Sequence, residues 1–191
     1  PYFESWEDPA SGVESFILNE RIAPVQQSFY FTNPSVSADE KWLWFYAAFP
    51  PNLQSALGVV SLDPDNPEIQ LLPQAGFTAV SPMVAPEGDA AFFCMGNSVY
   101  KVWIDGSTQV VCTVPEDYIC KRHFGRISTH LSMSADGKYL LLDGDLGNFW
   151  WVGVGDVATG EVKILKEFGQ HHNHAQFSPT DPKLFVIPED W

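Results

Sequence analysis

A turn followed by an apolar run occurs four times in this chain, and its period admits few folds. Ser37-Ala38-Asp39-Glu40-Lys41 precedes Trp42-Leu43-Trp44-Phe45, and Ala85-Pro86-Glu87-Gly88-Asp89 precedes Ala90-Ala91-Phe92-Phe93. Ser134-Ala135-Asp136-Gly137-Lys138 precedes Tyr139-Leu140-Leu141-Leu142, and Ser178-Pro179-Thr180-Asp181-Pro182-Lys183 precedes Leu184-Phe185-Val186-Ile187. Successive turns begin 48, 49 and 44 residues apart. A period of about 45 residues with strand-type segments is that of a β-propeller blade, so an all-β propeller is expected. Four residues before each turn stand Asn33, Ser81, His130 and His174. On a propeller that position belongs to the innermost strand, near the axis, so adjacent blades should bring His130 and His174 together.

Each repeat reads as strands with one grammar. An inner strand precedes the turn (131–134) and a second follows it (139–143). A third carries aromatic and β-branched residues (57–62, 98–104, 150–154), and a fourth follows a further turn, as in 162–165. No stretch shows sustained helical periodicity. The expected blades are 21–73, 74–120 and 121–168, with the start of a fourth over 169–191. Asp8-Pro9-Ala10-Ser11-Gly12-Val13-Glu14 before Ser15-Phe16-Ile17-Leu18 repeats the turn Asp156-Val157-Ala158-Thr159-Gly160-Glu161 and its outer strand. Segment 1–20 is therefore expected to supply a strand that closes the last blade and so removes exposed edges. The fourth repeat lacks its outer strands, which favours the front half of a larger propeller over a compact four-bladed ring.

Composition narrows the partners. A formal charge of −14, from 24 acidic and 10 basic side chains, argues against nucleic acid, whose phosphates need a basic face. An acidic sugar polymer needs local cations at its site. Cys94, Cys112 and Cys120 form no CxxC pair and read as reduced thiols, which points to a bacterial cytoplasm rather than a periplasm. No signal peptide, lipidation motif or long apolar run suggests a membrane.

Two clusters can carry chemistry. Gln170-His171-His172-Asn173-His174 holds three of the five histidines. On a strand His172 and His174 share a face, and with His130 they suit a borderline metal such as Mn²⁺ or Zn²⁺; alternatively one histidine caps a strand and the others are solvated. Lys121-Arg122-His123-Phe124-Gly125-Arg126 concentrates three of the ten cations in the loop leading into the third repeat. It fits either a carboxylate clamp or an ion pair between blades. Phe29-Tyr30-Phe31 and Trp150-Trp151 are candidate sugar platforms or inter-blade core. Asp143-Gly144-Asp145 is a weak Ca²⁺ pattern. No GxSxG, P-loop or GxGxxG is present.

These residues resemble the oligogalacturonate lyases, seven-bladed propeller enzymes that degrade pectin fragments. The resemblance rests on Trp6-Glu7-Asp8-Pro9-Ala10-Ser11-Gly12, Ser28-Phe29-Tyr30-Phe31, Thr113-Val114-Pro115-Glu116-Asp117-Tyr118, Thr129-His130-Leu131, and His174-Ala175-Gln176-Phe177-Ser178-Pro179-Thr180-Asp181-Pro182. The family is about twice this length. The resemblance implies β-elimination at a uronic acid, with a base removing the C5 proton and a cation, Mn²⁺ in the family, stabilising the charge at the C6 carboxylate. His172-Asn173-His174 is similar to the family's His-x-His metal motif, with Gln170 one residue out of register with its glutamine. The family's basic arginine has no counterpart in Phe149-Trp150-Trp151-Val152. His130, His174 and Arg126 are then the expected catalytic residues, with Arg126 as carboxylate clamp. Arg122, His123, Asn173 and Tyr30 are expected to bind an acidic oligosaccharide, and His172 and His174 the metal. The rival is a non-catalytic propeller that binds protein or peptide on its top face.

Overall fold

In the first three apolar runs, successive side chains leave the strand on opposite sides and both sides are covered, whereas in the fourth Leu184 and Val186 are exposed. The structure, a computed structural model, describes residues 2–63, 65–78, 82–120 and 122–190, so Ser81 and Lys121 lie outside the described residues. The first sheet is built from Val25–Ser28, Trp42–Ala48, Ser55–Ser61 and Ile69–Phe77, paired antiparallel in sequence order. The second follows with Met83–Val84, Ala90–Met95, Ser98–Trp103 and Thr108–Thr113. In the third, Phe124–Arg126 and Ser132–Met133 both pair with Tyr139–Leu146, which continues through Phe149–Asp156 to Val162–Phe168. A two-stranded hairpin lies at each end of this series, Phe3–Glu7 with Glu14–Leu18 and Gln176–Phe177 with Phe185–Val186. The one helix among the described residues is the short turn Glu116–Ile119. None is long and apolar enough to cross a membrane. The chain forms the all-β propeller expected from the period.

The core is not central but is divided among the seams between consecutive sheets. Trp44 faces the seam between the first and second sheets, while its neighbour Phe45 faces the N-terminal hairpin. Ala91 and Phe93 fill that first-to-second seam, whereas Ala90, Phe92 and Cys94 fill the next. Leu140 and Leu142 point back to the second sheet and Leu141 forward to the C-terminal hairpin. This strand alternation explains why the runs are apolar at every position rather than at every second one. Burying each large side chain of this kind contributes about 1.5–3 kcal/mol. Trp44 also donates its indole N–H to the Gly88 carbonyl across the seam, at 3.1 Å.

The N-terminal segment differs from the expected strand. It is a complete hairpin, paired from Phe3↔Leu18 to Glu7↔Glu14. Asp8 organises its turn by accepting from the Ala10 N–H and the Ser11 hydroxyl, and Gly12 closes it at φ +71°. The turn at Asp156 is built alike, with Ala158 and Thr159 donating to its carboxylate and Gly160 at φ +76°. The shared turn chemistry was visible in the sequence; the strand before Asp8 was missed because Phe3-Glu4-Ser5-Trp6-Glu7 contains no apolar run.

The repeated turns share one mechanism. Ser37 and Ser134 are buried, and each hydroxyl donates to the aspartate two residues on while accepting the N–H of the strand residue that follows the turn. These bonds hold Asp39 and Asp136 below the usual carboxylate range. The fourth turn residue donates to the first carbonyl in three repeats, and its φ is positive each time: Glu40 at 58°, Gly88 at 88° and Gly137 at 73°. Only Glu40 bears a side chain there, which costs about 1–2 kcal/mol. Replacing Glu40→Gly should therefore leave stability unchanged or raise it by up to about 1 kcal/mol, whereas Gly137→Ala should lower it by about 1–2 kcal/mol. Urea unfolding of the two variants checks the contrast.

Candidate functional site

Where the inner strands begin, polar and aromatic side chains from successive repeats come together. Asn33, at the first of the repeated positions, is buried and donates its amide to the carbonyls of Pro82 (2.8 Å) and Leu131 (3.2 Å), tying the first sheet to the second and third. His130 and His174 occupy the equivalent positions in later repeats. Their rings lie 4.6 Å apart, centre to centre. Tyr30 stacks on His130 at 4.5 Å and 8°, approaches His174 at 6.5 Å, and leans against Phe31 at 4.4 Å. Phe31 is 84% exposed, so the pair presents an open aromatic surface beside the histidines. Phe29, by contrast, is core and stacks on Tyr46.

His130 is 7% exposed, and neither ring nitrogen has a hydrogen-bond partner among the described residues. Burial, and then the neighbouring His174 and Arg126, lower its pKa to about 4, so the ring is neutral at pH 7. His174 is half-buried and sits at φ 54°. Its Nδ1 bonds the side-chain oxygen of Asn173, with the Asp190 carboxylate 3.8 Å behind. An amide oxygen only accepts, so Nδ1 carries the hydrogen and Nε2 keeps its lone pair. A base held from behind by a polar partner is the arrangement used by nucleophile-activating and proton-abstracting histidines.

Arg126 belongs to the same neighbourhood. Its Nε is buried without a hydrogen-bond partner and lies 3.6 Å from Asp145 Oδ1, and its charge is felt by His130. It lines a cavity of about 210 Å³ together with Gln54, Phe77, Thr78 and Cys94. Two imidazoles and an exposed aromatic pair thus cluster together, with an arginine within electrostatic reach, in a strongly acidic chain.

Other expected site residues are placed elsewhere. Arg122 bonds Glu167 at 2.7 Å and stacks on Tyr118, whose hydroxyl also donates to Glu167 at 2.8 Å. Its guanidinium therefore fastens the loop to the outer strand Val162–Phe168 of the same sheet, an ion pair within the third blade rather than between blades. His123 is exposed, and its carbonyl accepts from the Gly147 N–H. His172 does not share a face with His174, because the left-handed backbone at His174 breaks the strand alternation. His172 stacks on Phe168 at 3.8 Å and engages the Gln170 carbonyl through Nδ1, while His171 leans on Trp150 at 5.2 Å. Among the described residues no three His, Cys, Asp or Glu side chains gather to hold a metal, and the His172 and His174 rings pack on different partners, Phe168 and His130. Asp143 and Asp145 do not form a Ca²⁺ pattern either. Asp145 faces Arg126, and Asp143 is buried with its oxygens taken by protein donors. Gly144 between them packs under Trp151, where a Cβ would lie 2.3 Å from the Arg126 carbonyl oxygen. Cys94 and Cys112 are buried free thiols whose pKa values burial raises, to about 12 for Cys112. They pair with opposite sides of Val99, two strands apart, which is too far for a disulfide.

The lowered pKa of His130 makes stability depend on pH. Its ordinary value is 6.5 and its folded value about 4, so its contribution is present above pH 6.5 and is lost as pH falls towards 4. Asp143, raised by burial against its hydrogen bonds, acts in the opposite sense, losing its contribution as pH rises through its folded value. The melting temperature of the parent protein should fall more steeply between pH 6.5 and 4 than that of a His130→Asn variant, because only the parent carries the depressed imidazole. Equal slopes would show that His130 titrates normally.

No protein-family description and no curated protein matches the chain by sequence. Its fold is similar to that of an oligogalacturonate lyase from Vibrio parahaemolyticus, with 17% identity and a TM-score of 0.73 over 98% of this chain and 52% of that one. An oligogalacturonate lyase in complex with manganese matches at 16% identity and a TM-score of 0.72, over 98% of this chain and 53% of that one. TolB from Acinetobacter baumannii matches at 16% identity and a TM-score of 0.53, over 97% of this chain and 46% of its own. The chain spans about half the length of these structures and has the propeller fold of the oligogalacturonate lyases.

Proposed function

We propose that the chain belongs to a lyase that cleaves uronate-containing oligosaccharides by β-elimination. The observation that carries this reading is the convergence of the His130, His174 and Tyr30 rings, with the charge of Arg126, the one arginine of the loop not committed to a hydrogen-bonded ion pair, close enough to depress the His130 pKa. The fold likeness to oligogalacturonate lyases supports it. In this reading Arg126 takes the C6 carboxylate of the sugar and offsets the negative charge that grows there. His174 Nε2 removes the C5 proton. The electron pair of the C5–H bond forms the C4–C5 double bond, and the glycosidic oxygen leaves C4 with its bonding pair. Neutral His130 lies buried beneath Tyr30 and backs the site, while Tyr30 and Phe31 provide an apolar face for the C–H side of the sugar. Asn173 fixes the His174 tautomer. No step is assigned to a metal, since the described residues do not form a ligand set.

The fold likeness to TolB and the 84% exposure of Phe31 favour a second reading, a propeller that binds a partner on this face without catalysis. Ultraviolet absorbance of the 4,5-unsaturated product, followed on a panel of oligouronates with and without added Mn²⁺, separates the two. Elimination should appear in the intact protein, with His174→Ala lowering kcat by about 10²- to 10⁴-fold. Arg126→Ala should lower kcat/KM by about 10- to 100-fold, chiefly through KM. Absence of product on every substrate, with and without the metal, would leave the binding reading.

A further inference from the structure

Asp143 lies in the strand Tyr139–Leu146 and is 1% exposed. Its carboxylate reaches two sheets at once. Oδ1 accepts the Thr129 N–H at 2.5 Å, and Oδ2 accepts both the Thr129 hydroxyl at 3.1 Å and the Ala175 N–H at 3.1 Å. Thr129 immediately precedes His130, and Ala175 immediately follows His174. The two histidines therefore hang from the two backbone segments that one carboxylate holds. Neither segment is part of a long strand at that point: Ser132–Met133 and Gln176–Phe177 are two residues each, and the histidines lie outside both. Beyond a single bridge at His130, ladder hydrogen bonding does not fix their separation. The left-handed backbone at His174 makes that segment more dependent on its next bond, which is the one from Ala175 to Asp143.

We propose that Asp143 is a positioning residue, its buried carboxylate joining the Thr129 and Ala175 segments so that the His130 and His174 rings face one another across the seam. An aspartate suits this role because it accepts at both oxygens and donates nowhere, matching three donors that converge on it. Asparagine in the same space supplies one accepting oxygen and an NH₂ that meets an N–H donor, so one of the two segments is released. The consequence for catalysis rests on the lyase reading above, whereas the consequence for geometry does not.

The test compares Asp143→Asn with Ser132→Ala in the intact protein. Ser132 makes another hydrogen bond across the same seam, accepting the Phe177 N–H at 3.0 Å, but touches neither histidine segment in this way. Magnetisation transfer between the ring protons of His130, His174 and Tyr30 reads the geometry directly. The expected result is loss of His130–His174 transfer in Asp143→Asn and its retention in Ser132→Ala, at comparable loss of thermal stability. Lyase kcat should fall by about 10- to 100-fold in Asp143→Asn with KM changed far less, as for a displaced catalytic group. Retained ring contacts in a folded Asp143→Asn protein would overturn the proposal. If that variant does not fold, Thr129→Val removes only the hydroxyl bond to Oδ2. Weakened transfer from His130 then supports the proposal, and unchanged transfer overturns it. Absence of lyase activity in the parent protein would count against the lyase reading alone, since the ring contacts still decide the role of Asp143.

Discussion

The face-to-face packing of consecutive sheets is the constraint from which the rest of this structure follows. A sheet with both faces apolar has no stable existence alone, so each needs a neighbour on either side. Trp44 and Phe45, or Leu141 and Leu142, are adjacent in sequence and belong to different seams. Each seam is closed by side chains from two repeats. Neighbouring sheets are thereby held in one relative position, and any side chain at the rim of a seam has a defined partner across it.

The site arises at that rim because the ladders stop there. The inner strands are only two residues long in the second and third sheets and in the C-terminal hairpin, and the Thr129 and Ala175 N–H groups beside the two histidines are met by a side chain rather than by a strand. Buried side chains meet that need: the Asn33 amide donates to Pro82 and Leu131, and the Asp143 carboxylate accepts from Thr129 and Ala175. A buried polar group without such partners costs about 1–3 kcal/mol, so these ties are satisfied, while among the described residues His130, next to them, has no partner at either ring nitrogen.

Much of this was legible in the sequence because it depends on local chemistry at a fixed period. The Ser-x-Asp turns, the Asp-x-x-x-Gly turns and the apolar runs each act within a few residues. The approach of His130 to His174 was legible too, since equal positions in adjacent repeats must be neighbours. Arg122 and Arg126 looked alike, four residues apart in one basic loop. Only the fold brings Glu167 and Tyr118 to the first and leaves the second beside Asp145, within electrostatic reach of His130. His172 and His174 obeyed the strand rule on paper, but the backbone at His174 is left-handed, a conformation that histidine adopts more often than most side chains but that no local signal assigns to this one.

Sequence by itself determined the class of fold, the spacing of its units and which positions converge on the axis side, because hydrophobic alternation and turn hydrogen bonds are short-range and repeat. Tertiary structure alone decided which polar side chains are taken up by one another and which remain free. That choice depends on donors and acceptors brought together from far along the chain: Asp143 with Ala175, Arg122 with Glu167, and His174 with Asn173 and Asp190. A hydrogen bond is decided by angstroms and angles, and these exist only once the seams have closed.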